Sequence, residues 1–486
     1  MTSAAAYEAT IGLEVHVQLR TASKLFCGCA NEFGAPPNTL TCPVCLGHPG
    51  SLPVLNGEAI LLGLRAAAAL DCSLPAMIRF DRKNYFYPDL PKGFQISQHS
   101  GAVGLDGAVE YWDEEGGGTV AVERVHLEED TAKAVHAEAY VRPGETLLDF
   151  NRSGVPLMEV VSRPVITSPE MARRYIVAVR QTLIDVGVSD CGLEKGAFRI
   201  DTNISVKPKG EAKLGEQVEI KNLNSIRAME AALEYEFERQ REILAGGGKV
   251  ERVTLHYDDA TGETTPTRFK EVRADYRYFA EPDLPPVALP ASYVEKVRAD
   301  DFAPPAARIR ELREGYDTTL AEAEMLAFAP AYYDFLGRAA AAYGGERRAV
   351  VNWLVGDVTR ELKERGEELA DAKLTPEGLA SLLKLLDAGE VNVPGAREVL
   401  AALMNEGGDP AALLEAKGLG QISDAGALEE LVRAAAAANP KAVADLRAGK
   451  ERARGALVGY VMKETKGRAN PQIVNELITK VIAAGD

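Results

Sequence analysis

Residues 11–50 read IGLEVHVQLRTASKLFCGCANEFGAPPNTLTCPVCLGHPG. Glu14 and His16 stand two positions apart in an apolar run. Strand side chains alternate between faces, so on a β-strand these two share one side. Four cysteines follow as Cys27-x-Cys29 and Cys42-x-x-Cys45. The stretch predicts an N-terminal strand with an imidazole and a carboxylate on one face, followed by a loop rich in thiols. Two metal-competent regions so close together point to a metal-dependent enzyme rather than a passive scaffold.

The chain has 486 residues, which exceeds one ordinary hydrophobic core, so about two to four domains are expected. Hydrophobic residues make up 46% and charged residues 26%, the balance of a globular protein rather than a disordered one. No apolar run is long enough to span a bilayer. The N-terminus lacks a basic region ahead of its first apolar run, so it does not read as a signal peptide, and cytoplasmic residence is expected. Six cysteines in so long a chain are too few for a disulfide scaffold, and their pairing favours metal ligation. The formal charge of −17 argues against broad, nonspecific nucleic-acid binding. A local basic face is still allowed, because residues 441–468 carry eight basic and three acidic side chains.

Residues 1 to about 290 hold many short candidate strands, among them 9–19, 118–130, 198–208 and 216–224. Helical periodicity interrupts them at 57–71, 168–187 and 225–246. Ser168-Pro169 is a helix start and Gly246-Gly247-Gly248 a helix stop. This mixture predicts an α+β domain with a largely antiparallel sheet. EPDLPPVALP at 281–290 marks a boundary, after which Ala, Leu, Glu, Lys and Arg recur at helical spacing. Gly407-Gly408-Asp409-Pro410 is a second break. A small helical module follows, with starts near Asp409, Ser423, Asn439 and Asn470-Pro471. The expected domains are 1–290, 291–407 and 408–486.

Four separated segments offer carboxylates: Glu14 with His16, Glu128-Glu129-Asp130, Glu159, and Asp201. Oxygen-rich donor sets suit Mg²⁺, which commonly bridges nucleotide phosphates. Read singly, each acid is as well explained by a solvated surface, and His16 by a satisfied structural histidine. Cys27, Cys29, Cys42 and Cys45 can supply four thiolates to tetrahedral Zn²⁺; free or redox-active thiols are the alternative. Cys72 and Cys191 lack partners at ligand spacing and read as core residues. DRKNYFYPDLPKGFQISQ at 81–98 combines cations with rings. Tyr85, Phe86 and Tyr87 are candidates to stack on a base and Lys83 or Lys92 to meet phosphate, with a core strand and a Pro-Gly loop as the plainer reading. Neither a Walker loop nor a dinucleotide glycine motif occurs.

Several of these stretches, taken in order, closely resemble the B subunits of aspartyl/glutamyl-tRNA amidotransferases. They are IGLEVHVQL, SKLFCGC, CPVCLGHPGSLPVLN, DRKNYFYPDLPKGFQISQ, HLEEDTAK, DFNRSGVPLMEVVSRP, FRIDTNISV, EIKNLNSIRAMEAALEYE, DYRYFAEPDLPP and VMKETKGRANPQIVNELI. The resemblance covers essentially the whole chain. It implies a cradle similar to the glutamine synthetase/guanidino kinase fold, then an all-helical domain and a small tRNA-binding tail. It implies ATP-dependent phosphorylation of the side-chain carboxylate of Glu-tRNA(Gln) or Asp-tRNA(Asn), followed by displacement of phosphate by ammonia. On the family pattern Glu14, His16, Glu128, Glu129, Glu159 and Asp201 match the Mg²⁺ site, with Glu14, His16, Glu129, Glu159 and Asp201 as the catalytic set. Lys83, Tyr85 and Arg199 are the ATP contacts. Cys27, Cys29, Cys42 and Cys45 match a structural Zn²⁺ site present in some members.

The resemblance assigns glutamine hydrolysis to an A subunit with a serine nucleophile, stabilised by a small C subunit. Consistently, this chain shows neither a Gly/Ser-rich amidase segment nor a cysteine glutaminase motif. Lys450, Arg452, Arg454, Lys463, Lys466 and Arg468 are the tail residues expected to steer tRNA, a solvated helical face being the plainer reading. Two other functions stay open at this point. One is a tRNA-binding scaffold without catalysis, and the other is a carboxylate–amine ligase acting on a free small molecule.

Overall fold

A computed structural model describes residues 7–135, 141–142, 144–223, 225–269, 275–298, 302–465 and 467–484. The chain divides into two compact units, residues 1–310 and 311–486.

The first unit is built on an eight-stranded sheet. Its strands are β1 (Tyr7–Gln18), β2 (Gly104–Tyr111), β3 (Gly118–Glu129), β4 (Pro156–Ser162), β5 (Phe198–Pro208), β6 (Val218–Leu223), β7 (Val253–Asp258) and β8 (Glu263–Phe269). The spatial order is β8-β7-β6-β5-β1-β4-β3-β2. Six of the seven pairings are antiparallel and β6–β7 is parallel. A parallel return needs a crossover, which helix α3 (Ile226–Ala245) supplies between β6 and β7. Inserting β1 antiparallel between β4 and β5 makes those two run parallel. Helix α2 (Pro169–Asp185) is the corresponding crossover.

Among the described residues, helices pack against one face of this sheet. On β1, Ile11, Leu13, Val15 and Val17 are buried to 1% exposure or less, and the alternate residues are not. They join Leu127, Val160, Ile200 and Ile204 in a core with Leu64 of α1 (Gly57–Ala69), Ile176 and Val179 of α2, and Met229 and Leu233 of α3. Each such side chain contributes about 1.5–3 kcal/mol on burial. A one-residue slip of β1 would therefore be prohibitive, and the core locks which side chains face the other way.

The helix ends follow from local chemistry. Ser168 accepts from the Met171 amide at 3.1 Å ahead of Pro169. Ser225 accepts from the Ala228 amide at 2.9 Å. At the other end of α3, Gly247 takes a left-handed φ of 76°, which glycine accepts without strain.

β2 pairs with residues 118–125 of β3 and leaves the last turn of that edge open. A small sheet of Asp81–Asn84, Phe94–Ser97 and Phe279–Ala280 covers it. Gln95 Nε2 donates to the Glu129 carbonyl at 2.8 Å, and Gln98 Oε1 accepts from the Leu127 amide at 2.9 Å. The helix Ala291–Arg298, which composition groups with the following helical region, buries Val297 in the core of the first unit.

The second unit is helical among its described residues. Pro330, Pro376, Pro410, Pro440 and Pro471 each open a helix, where the missing amide hydrogen costs nothing. Asp409 caps one of them as expected. At the next, the carboxylate of Asp424, one residue beyond Ser423, accepts from the Ala427 amide at 2.7 Å. Helices Ala425–Ala438, Pro440–Arg447, Arg454–Glu464 and Pro471–Ala484 share a core that includes Leu428, Val432, Leu457, Val461, Val474 and Ile478. No described helix is long and apolar enough to cross a membrane.

Candidate metal centre

The helix-free face of the sheet collects the charged side chains, because their apolar neighbours occupy the other. From β1 it carries Glu14, His16 and Gln18; from β5, Arg199, Asp201 and Asn203. Register places Glu14 opposite Asp201, and His16 opposite both Arg199 and Glu159 of β4. Glu159 in turn faces His126 of β3. Thus His126, Glu159, His16 and Arg199 form one row across four strands.

In that row His16 Nε2 lies 3.4 Å from Glu159 Oε2 and 3.9 Å from Glu128 Oε1. His126 Nε2 lies 3.2 Å from Glu159 Oε2 and 3.8 Å from Glu128 Oε2. One ligand atom from each of His16, Glu128 and Glu159 falls within 4.8 Å of the others, the spacing of donors around one cation. Glu128, Glu159 and His126 are buried. Burial disfavours protonation of His16, but the hydrogen bond to Glu159 and the surrounding carboxylates outweigh it and raise the imidazole to about 9. Burial also opposes ionisation of Glu159; the charge and hydrogen bond of His126, with those of His16, hold it well below the usual carboxylate range.

Glu14 is held less well. Its Oε1 accepts from Asn203 Nδ2 at 3.1 Å. Burial first, then the charges of Glu159, Asp201 and Glu219, push its carboxyl up. This edge of the face is short of positive charge, although Lys221 Nζ lies 3.7 Å from Asp201 and 3.2 Å from Glu219. A divalent cation fits that deficit, and the nitrogen and oxygen donors of His16, Glu128 and Glu159 suit one.

Glu129 is placed differently. It follows Glu128 on the strand and so points to the opposite side. Its Oε1 pairs with Lys92 Nζ and accepts from the Ile96 amide at 2.9 Å. Lys83 feels the charge of the cluster. Burial opposes its charge, but Glu128 is the largest of the influences that raise its pKa, and Nζ sits 5.0 Å from the Tyr276 ring centre. Tyr85 packs edge-on against Tyr276 at 6.0 Å, whereas Phe86 and Tyr87 are exposed.

The second donor set is equally compact. The Sγ atoms of Cys27, Cys29, Cys42 and Cys45 all lie within 4.8 Å of one another, and Cys42 and Cys45 are 3.9 Å apart. A tetrahedron with metal–sulfur bonds of about 2.3 Å needs edges of about 3.8 Å, so the four thiols fit. Hydrogen bonding from Cys27 leads the effects that lower Cys45, against its burial, to about 4. Lys24, fully buried, donates from Nζ to the Leu40 and Phe150 carbonyls at 2.8 and 3.2 Å and ties the loop down beside the thiols. Cys72 and Cys191 are buried in the apolar core.

In the tail, Lys450, Arg452 and Lys463 are exposed. Arg454 pairs with Glu451 at 3.0 Å and donates to Thr479 at 2.9 Å, and Arg468 donates to the Gly418 carbonyl at 2.7 Å. Lys466 lies outside the described residues.

Comparison with known proteins covers nearly the whole chain. A family model described as the GatB/GatE catalytic domain matches residues 9–295, and one described as the GatB domain matches residues 334–482. This chain belongs to the GatB family. Relatives named as B subunits of aspartyl/glutamyl-tRNA(Asn/Gln) amidotransferase include those of Carboxydothermus hydrogenoformans and Thermus thermophilus. The first is 44% identical over 98% of this chain and 99% of its own length, and the second 46% over 99% and 100%. That of Moorella thermoacetica is 45% identical over 97% and 99%.

Within this family member the structure adds residues that sequence reading passed over. His126 sits two positions before Glu128, and the period-two argument that joined Glu14 to His16 applies to it equally. Glu219 joins the face beside Asn203 on β6; its signal was the alternation in EQVEIKNLN. Asp130, which the sequence offered among the acids of 128–130 but without a role of its own, lies buried one residue past β3 with the same parity as His126 and Glu128.

Proposed function

We propose that this chain activates and amidates the amino acid carried by a misacylated tRNA, Glu on tRNA(Gln) or Asp on tRNA(Asn), in the cytoplasm. The observation that carries the proposal is the convergence of His16, Glu128 and Glu159 from three neighbouring strands onto one open face. It occurs in a chain whose relatives are named for this transfer.

A carboxylate is a poor acceptor for ammonia because it offers no good leaving group. In the proposed sequence a side-chain carboxylate oxygen attacks the γ-phosphorus of ATP, the bond to the β-phosphate oxygen breaks, and ADP leaves. Ammonia then attacks the acyl carbon, phosphate departs, and a proton from nitrogen goes with it. Glu14, His16, Glu128, Glu159 and Asp201 would hold Mg²⁺, which when bound offsets repulsion between the γ-phosphate and the incoming carboxylate. Lys83 and Arg199 address phosphate oxygens and Tyr85 the nucleoside. The open face must be closed to water while the acyl phosphate exists.

Ammonia is assigned to glutamine hydrolysis by an A subunit, with a small C subunit completing the assembly. The four cysteines are assigned to one structural Zn²⁺, whose closed coordination shapes the loop and leaves no position for substrate. In this reading residues 1–290 form a cradle of the glutamine synthetase/guanidino kinase type, 291–407 a helical domain and 408–486 the tRNA-binding tail.

The test is amide formation on both misacylated tRNAs, with ATP and glutamine, by the chain alone and with its partner subunits. Glutaminyl- or asparaginyl-tRNA is expected from the assembly, and no glutamine hydrolysis from the chain alone. Glutaminase turnover by the pure chain, or ATP cleavage indifferent to misacylated tRNA, would overturn the reading.

A further inference from the structure

Three strand ends meet beside the metal-binding row. Gln18 ends β1, Arg199 is the second residue of β5, and Asp130 follows β3. Asp130 is 3% exposed. Its Oδ2 accepts from Gln18 Nε2 and from an Arg199 terminal nitrogen, both at 3.0 Å, and its Oδ1 accepts from the Thr131 amide at 2.9 Å. Arg152 Nε stands 3.8 Å from Oδ1, but it spends its hydrogen bonds on the Thr131 and Ala132 carbonyls. The carboxylate is thus fully engaged and held from three directions.

Arg199 is not. Among the described residues it donates only to Asp130, and its Nε is buried with no acceptor. A buried donor left unpaired costs roughly 1–3 kcal/mol, so its survival calls for a reason. Arg199 is the register partner of His16, whose imidazole meets Glu159 and Glu128. A guanidinium held at one end, with its remaining donors free, is set for an oxyanion arriving on the open face, where two parallel hydrogen bonds give both strength and direction.

We propose that Asp130, braced by Gln18, is a positioning residue that sets Arg199 to receive an oxyanion in the reaction, either the phosphoryl group leaving ATP or the carboxylate that takes it. This rests on the function proposed above. Asp130 touches neither substrate; it removes the rotational freedom of Arg199 before the reaction starts, which is where preorganised sites gain their rate.

The experiment uses the full chain assembled with its partners. Asp130→Asn keeps the shape and removes the charge. It should lower kcat for misacylated-tRNA-dependent ATP cleavage about 10- to 100-fold, with KM for ATP little changed. Arg199→Gln should lose at least as much, and the double variant should be no slower than Arg199→Gln, as expected for two groups acting as one unit. Gln18→Leu, which spares the Asp130–Arg199 pair, should show a smaller loss that vanishes in the Arg199→Gln background.

A probe independent of turnover is ADP with aluminium fluoride, a mimic of the phosphoryl group in transit. Wild type should bind it more tightly than ADP alone, and Asp130→Asn should lose that gain while binding ADP unchanged. If Arg199→Gln instead raises only the KM for misacylated tRNA, the oxyanion is the substrate carboxylate. An Asp130→Asn enzyme with wild-type kcat and wild-type KM for misacylated tRNA, or losses that multiply in the double variant, would overturn the proposal. Wild type without any tRNA-dependent ATP cleavage would instead count against the function itself.

Discussion

Glu159 of β4 lies directly across from His16 of β1, with 3.4 Å between carboxylate and imidazole. Glu159 also meets His126 at 3.2 Å from the other side, so one buried carboxylate ties three strands together at the centre of the open face. Removing its charge should disable the site without unfolding a sheet whose core lies on the opposite side. Glu159→Gln and His16→Ala are expected to lower misacylated-tRNA-dependent ATP cleavage by at least ~100-fold. Binding of tRNA, measured by filter retention, should stay within about twofold. Parallel loss of both would point to misfolding instead.

The four thiols should hold one Zn²⁺ per chain, measured by elemental mass spectrometry of protein purified without added metal. Cys29→Ser should release most of it. Lys24→Met should do so too, because the Leu40 and Phe150 carbonyls lose their donor and Cys45 loses a nearby positive charge, with about 1–3 kcal/mol lost for each buried acceptor left unpaired. Full zinc retention in both variants would show that the cysteines are not the ligands.

The tail basic residues should divide into two classes. Lys450, Arg452 and Lys463 are exposed, so reversing them to glutamate should weaken tRNA binding and flatten its dependence on salt. Arg468, engaged with the Gly418 carbonyl, should cost thermal stability when changed to alanine. Unchanged tRNA affinity after reversing the exposed set, or after deleting 409–486, would reject a tRNA role for the tail.

The second unit should carry an acid-sensitive element. Glu322 caps its own helix with Thr319 and meets Arg348 at 2.8 and 2.9 Å. The Arg348 hydrogen bonds, against a small burial penalty, lower its carboxyl from 4.5 to about 2. A depressed folded-state pKa means that the pair stabilises fully above pH 4.5 and fades as pH falls toward 2. Because the pair is partly exposed, its contribution should be about 1 kcal/mol. Arg348→Met should lower the melting temperature at pH 7 and make little difference at pH 2. An equal drop at both values would refute the assignment.

Much of this protein could be read from local pattern. Alternation in β1 separated the buried Ile11, Leu13, Val15 and Val17 from Glu14 and His16. Ser168 and Asp409 marked helix starts because capping is decided by a few neighbouring atoms. The cysteine spacing anticipated a four-sulfur cluster, since a loop of that length can close on itself. Chain chemistry also singled out Glu128 and Glu159, but without separating them from Glu129.

Alternation along β3 puts Glu128 and Glu129 on opposite sides, but which of the two meets His16 came from pairing between strands far apart in the chain. Glu129 is one residue from Glu128, yet the sheet turns it toward Lys92 while Glu128 faces His16. His126 and Glu219 joined the open face by register with β4 and β5, and Asp130 by its position at a strand end. Composition and spacing act over a few residues and so settle elements, caps and candidate ligands. Which acids share a cation, and which are neutralised by a lysine, depends on long-range register, because a carboxylate's role follows from the charge opposite it in space.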